Sequence, residues 1–228
     1  MNSSILFYII IAILLIQFII ETVLEYLNAK RYTDVVPSEL SDVFDKEEYR
    51  KSQEYKKTNY RFGMVSTVFS LSLTLLFLIL GGFEWIDTIA RSYSDNPIVI
   101  ALIFFGIIMI GNDIVTTPFS YYHTFVIEEK FGFNKSTKKL FWTDKFKGWI
   151  MMMILGGGIL ALIIWFFQWA GTNFWVYAWA LISVFSLFMN LFYSRLIVPL
   201  FNKQTPLEEG SLKSKIEAYA KNVGFELK

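Results

Sequence analysis

The chain of 228 residues is 54% hydrophobic and 18% aromatic, and its 18% of charged residues lies below the roughly 25% usual for a soluble domain. A formal net charge of +1 gives no basis for nucleic-acid binding, and zero cysteines exclude disulfides, thiolate nucleophiles and thiolate metal sites. One histidine, His123, excludes every metal site that needs two imidazoles.

The charges cluster between long uncharged blocks, and the mean hydropathy is +0.45. Only a helix satisfies its own backbone while crossing lipid without partners, so the pattern predicts an all-α, polytopic membrane protein. Residues 3–20 are uncharged, and the helix they begin is expected to run to residue 27 as the first span. A cleaved signal peptide fits poorly: no Lys or Arg precedes the apolar run, and no small-residue cleavage site follows it. Residues 28–61 hold eight basic and seven acidic residues. Within them Val36-Pro37 marks a turn, and the stretch from Asp45 to Tyr55, with Glu47 and Lys51 four apart, reads as a solvated helix leading into the next span.

The second span is expected over 62–83, closed by Gly81-Gly82, and a short loop with Glu84, Asp87, Arg91 and Asp95 follows. Pro97 opens a third span over 97–117, whose end turns polar at Asn112, Asp113, Thr116 and Thr117; Pro118 then starts a loop. Residues 148–194 contain no charge, too long for one crossing and right for two, over 148–169 and 174–195, hinged at Gly171-Thr172-Asn173. Trp165, Trp169, Trp175 and Trp179 flank that hinge as an interfacial aromatic belt, and Gly156-Gly157-Gly158 permits close helix packing or a kink.

Five spans result. Twenty of the 21 Lys and Arg fall on one side of them and Arg91 alone on the other, which places the N-terminus outside and the C-terminus in the cytosol. Residues 201–228 read as a cytosolic element: a capping arrangement at Thr205-Pro206-Leu207-Glu208, apolar Leu212, Ile216, Tyr219 and Val223 at helical spacing, a stop at Gly224, and the first residues of a strand. Four residues do not make a stable strand, so the chain reads as cut inside a further domain.

Three stretches are distinctive. The first runs from Val36-Pro37 to Lys51-Ser52-Gln53-Glu54-Tyr55. The second lies within 121–146 and contains Thr124-Phe125-Val126-Ile127-Glu128-Glu129-Lys130-Phe131-Gly132-Phe133-Asn134. The third is Pro199-Leu200-Phe201-Asn202-Lys203, followed by Thr205-Pro206-Leu207, Gly210, Leu212 and Ile216. In order and spacing they resemble the N-terminal membrane half of the CAAX prenyl endopeptidases, integral-membrane zinc metalloproteases.

That resemblance implies zinc in the full-length enzyme, a C-terminal protease domain as partner, and prenylated or other membrane-associated protein substrates. It implies no zinc on this segment. The family's H-E-x-x-H sets two imidazoles on one helix face with a glutamate to polarise the bound water. Here His123 is followed by Thr124, and Glu128 and Glu129 stand five and six places on.

Candidate polar residues remain. An ionised Asp113 costs about 2.5–3.5 kcal/mol at mid-bilayer, so a partner or water access is expected. Arg195 falls at similar depth and is the suggested partner, with Asn112 and Asn190 joining the network; the competing reading places Asp113 on the wall of a substrate chamber. His123 reads as an interfacial hydrogen-bonding residue, and Glu128, Glu129 and Asn134 as positioning their loop against the protease domain. The function that follows is the membrane portion of a zinc endopeptidase in the bacterial inner membrane or the endoplasmic reticulum. A stand-alone, non-catalytic scaffold or binding module is the alternative; a transporter half would require repeats that these spans do not show.

Overall fold

A computed structural model describes residues 3–38, 42, 45–203, 205 and 207–225. Among them there are helices and turns but no strand. The chain divides into two compact units, Met1–Phe174 and Trp175–Lys228.

In the first unit, α1 spans Ser3–Ala29 and α2 spans Lys46–Ile79. Helix α2 is one 34-residue rod whose first turns are charged and whose remainder is apolar. Asp45 caps it, accepting from the backbone N–H groups of Glu47 at 2.8 Å and Glu48 at 3.2 Å. Glu47 bonds Arg50 three residues on, rather than the Lys51 that spacing alone suggests.

The 84–95 stretch expected as a loop is largely helix α3, Gly82–Tyr93. Its inward face is Ile86 and Ala90, both buried, and on the adjoining side Asp87 bonds Arg91 at 2.7 Å, which raises the guanidinium's pKa. The turn into it needs glycine twice. Gly81 has φ of 69°, and a Cβ on Gly82 would meet the Phe77 ring at 2.4 Å. Gly82→Ala is expected to cost about 1–3 kcal/mol as an overpacking change, read as a fall in Tm in detergent. An unchanged Tm would show that the ring yields freely.

Helix α4, Pro97–Tyr122, is capped by Asn96, which accepts from Ile98 N–H at 2.9 Å, and it packs on α3. Pro118 does not end it, contrary to the expected loop start. The chain stays helical through six residues of wider π-winding, His123–Glu128, and turns only at Gly132, with φ of 79°. Proline is tolerated inside a membrane helix because neighbouring helices and hydroxyls re-satisfy the freed carbonyl. Helix α5, Lys138–Met151, is capped by Thr137, and a π-turn at Met152–Gly156 joins it to α6, Gly157–Ala170, which packs on α4.

Four continuous helical runs are long and apolar enough to cross a membrane. The last, Lys138–Leu196, has 59 residues, about 88 Å against a hydrocarbon core of about 30 Å. It breaks at Gly171–Asn173, where Gly171 has φ of 55°, so it accommodates two crossings and the total is five. Large apolar side chains are exposed all along these runs, the surface lipid would cover.

The second unit holds α7, Phe174–Leu196, the short α8, Val198–Phe201, and α9, Ser211–Asn222. Helix α9 begins at Ser211, so Leu207 and Glu208 are not helical as the sequence pattern suggests; Pro206 lies outside the described residues. Gly224 ends the helix at φ of 70°, with Phe225 N–H bonding the Ala220 carbonyl at 2.9 Å. The strand expected over 225–228 begins at Phe225, which is not in a strand, and its other three residues lie outside the described residues.

Candidate functional site

Two polar clusters occupy the charged end of the first unit. The first ties the π-wound end of α4 to α2. The Tyr55 hydroxyl donates to Glu128 Oε1 at 2.5 Å, and His123 Nε2 lies 2.9 Å from Asn59 Oδ1 and 3.6 Å from Glu128 Oε1. Tyr55 and Asn59 are one turn apart on α2, so a single helix face presents both. The wider winding of His123–Glu128 lets His123 and Glu128, five residues apart, meet that face together.

Phe131 and Phe133 pack edge-on against the Tyr55 ring, with centroids 5.1 and 4.9 Å away. Two backbone N–H groups, of Phe133 and Asn134, close the turn on the Glu128 carbonyl at 2.9 and 3.2 Å. Lys130 bonds Glu54 at 2.7 Å, and Asn134 bonds Glu129 at 2.7 Å. Glu128, Glu129 and Asn134, suggested as residues facing a further domain, therefore have partners within this chain.

The second cluster is built around Asp113. Lys145 Nζ reaches both of its carboxylate oxygens at 2.7 Å, and Trp149 Nε1 donates to Oδ2 at 2.7 Å. Lys145 and Trp149 are one turn apart on α5, so they address α4 as a pair. The Asp113 carbonyl accepts from buried Thr117 at 2.5 Å. Spacing suggests Arg195 as the partner of Asp113; the structure supplies Lys145 and Trp149. Asn112 is exposed beside Asp113 and contributes its carbonyl to Thr116 at 2.9 Å. Asn190 and Arg195 are both exposed on α7 of the second unit.

A cleft of about 610 Å³ that no motif in the sequence marks lies between α1 and α2, with Glu21, Glu25 and Asn28 on one side and Tyr55, Asn59 and Tyr60 among those on the other. Glu21 and Glu25, four residues apart in an otherwise apolar helix, are the signal that could have found it. None of these groups fits a zinc site. Among the described residues no three His, Cys, Asp or Glu side chains converge, and the single imidazole faces an amide and one carboxylate.

A helical membrane domain with a polar seam where its charged and apolar halves meet, and no convergent metal donors among the described residues, is the class these features define. Residues 25–203 match the family described as CAAX prenyl protease N-terminal, five membrane helices. The chain is 34% identical to a CAAX prenyl protease 1 homolog of Arabidopsis thaliana, over 96% of this chain and 54% of that one. It is 33% identical to the CAAX prenyl protease 1 of Saccharomyces cerevisiae, over 92% and 49%. The crystal structure of S. mikatae Ste24p superposes with a TM-score of 0.90 at 35% identity, covering 97% of this chain and 53% of that one.

The chain belongs to the CAAX prenyl protease family. It matches the N-terminal membrane part and spans about half the length of these relatives.

Proposed function

We propose that this chain is the membrane portion of a CAAX-type zinc metalloendopeptidase, whose helices wall part of a chamber for prenylated or other membrane-associated protein substrates. The zinc would be held by residues outside this segment, since its own donors do not fit one. The observation that carries the reading is the cleft between α1 and α2. In a helix otherwise built for lipid, Glu21 and Glu25 face Tyr55 and Asn59 across a space large enough for an extended peptide segment. Carboxylates towards the end of a span are kept where they pair with polar groups or line a water-filled path, and this cleft offers the second.

The charge bias adds an orientation, with the N-terminus outside and residues 196–228 in the cytosol of a bacterium or facing the cytosol from the endoplasmic reticulum. Single cysteines at Ser38, Ser136 and Ser214 are expected to label from one side of sealed vesicles, and one at Ser92 from the other. Any of the first three labelling with Ser92 would reject the arrangement. The purified chain is also expected to cleave no prenylated peptide; chelator-sensitive cleavage by the chain alone would place the zinc within it.

A further inference from the structure

The face of α2 that adjoins Tyr55 and Asn59 on the α4 side carries Thr58, Arg61, Phe62 and Val65, spaced three, four and seven residues apart. With Pro118, Phe119 and Tyr122 of α4 they line a groove of about 550 Å³. Its floor is apolar, and Phe62 stacks on Tyr122 at 5.4 Å while Phe69 and Phe119 close the space below at 4.7 Å.

Arg61 stands at its mouth. It is the last charged residue before an uncharged run to Phe83, which sets it where hydrocarbon gives way to headgroups. Its guanidinium is exposed and has no hydrogen-bond or ion-pair partner among the described residues. On the neighbouring turns Lys57 is held by Asp34 at 2.8 Å and Lys130 by Glu54 at 2.7 Å, and exposed Lys56 borders the other cleft. One unneutralised, bidentate-capable cation directly above an apolar slot is complementary to one molecule with an anionic head and an acyl tail.

We propose that this groove is a binding site for an acidic phospholipid, its phosphate and acidic headgroup on Arg61 and one acyl chain between α2 and α4 beneath it. The groove adjoins the cleft between α1 and α2 but shares no lining residue with it, and headgroup preference is read without any cleavage assay. A lipid held there would bridge α2 to α4 just below the Tyr55–Glu128 contact.

The test is native mass spectrometry of the detergent-solubilised chain with phosphatidylserine or phosphatidylcholine of identical acyl chains. Phosphatidylserine is expected to be retained about fivefold better, the factor one basic residue contributes at an anionic surface. Arg61→Gln should abolish that preference, and Val65→Trp, which fills the slot, should reduce retention of both lipids. Glycerophosphoserine, which lacks the tails, should not compete. Equal retention of the two lipids, an unchanged preference in Arg61→Gln, or effective competition by the tail-less headgroup would each overturn the site. Arg61 is exposed and unpaired, so its variant should keep the wild-type Tm, and the Arg61 arm decides the matter even if Val65→Trp does not fold.

Discussion

Asp113→Ala is expected to lower the stability of the detergent-solubilised chain by about 2–4 kcal/mol, the largest effect of any single change proposed. Truncating one member of a fully buried ion pair costs about 3–5 kcal/mol, because the other charge is left uncompensated, whereas exposed pairs are worth about 0–1. The pair here lies between these limits: the Lys145 side chain is 14% exposed and that of Asp113 36%. Both carboxylate oxygens are engaged, and Trp149 supplies a third donor at 2.7 Å that would be orphaned with Lys145.

The double change Asp113→Ala with Lys145→Ala should cost less than the two single losses summed, with a coupling of about 1–2 kcal/mol. Denaturant unfolding of the four proteins gives that number directly. A larger coupling of Asp113 with Arg195 than with Lys145 would contradict the assignment.

Tyr55→Ala should cost about 2–3 kcal/mol, and Tyr55→Phe about half of that. The phenylalanine variant loses only the hydroxyl bond to Glu128, and a single hydrogen bond is worth about 0.5–1.5 kcal/mol net. The alanine variant also loses the ring that Phe131 and Phe133 grip. The difference should also appear locally, as faster amide exchange at residues 131–134 in Tyr55→Ala but little change there in Tyr55→Phe. Equal losses from the two variants would mean that the aromatic packing contributes nothing.

The membrane helices were legible because lipid imposes a one-dimensional rule: a run without charge must be a span, and 148–194 is too long to be only one. Helix α3 was missed although its signals were present. Asp87 and Arg91 stand four apart, with Ile86 and Ala90 at the same spacing on the adjoining face, yet four charges in a short stretch between glycines and Pro97 read as a loop. Pro118 misled through a rule drawn from water-exposed helices, where the residue before proline leaves the helical region; inside α4 the chain winds on and loosens only at His123–Glu128.

The site was less legible than the fold. Asp113 announced itself as a carboxylate that needs a partner, but which cation answers depends on how α5 lies against α4, and no spacing along the chain encodes that. Lys145 looked like one more member of a basic loop. His123 was anticipated as an interfacial hydrogen-bonding residue, and the structure gives it Asn59, 64 residues away. Tyr55 lay inside a recognised stretch without being singled out, because its role exists only once the turn at Gly132 brings Phe131 and Phe133 back over it.

As proposed, this chain is the membrane portion that completes an endopeptidase without holding its reactive centre. The most direct measurement replaces the matching N-terminal half of the Saccharomyces cerevisiae CAAX prenyl protease 1 with this chain and follows cleavage of a prenylated peptide by the purified chimaera. Chelator-sensitive cleavage by the chimaera, lost when Glu21 and Glu25 are both changed to leucine to close the polar cleft, is the predicted result. A chimaera that inserts and folds but cleaves nothing would contradict it, and would leave the chain as a membrane module without a catalytic role.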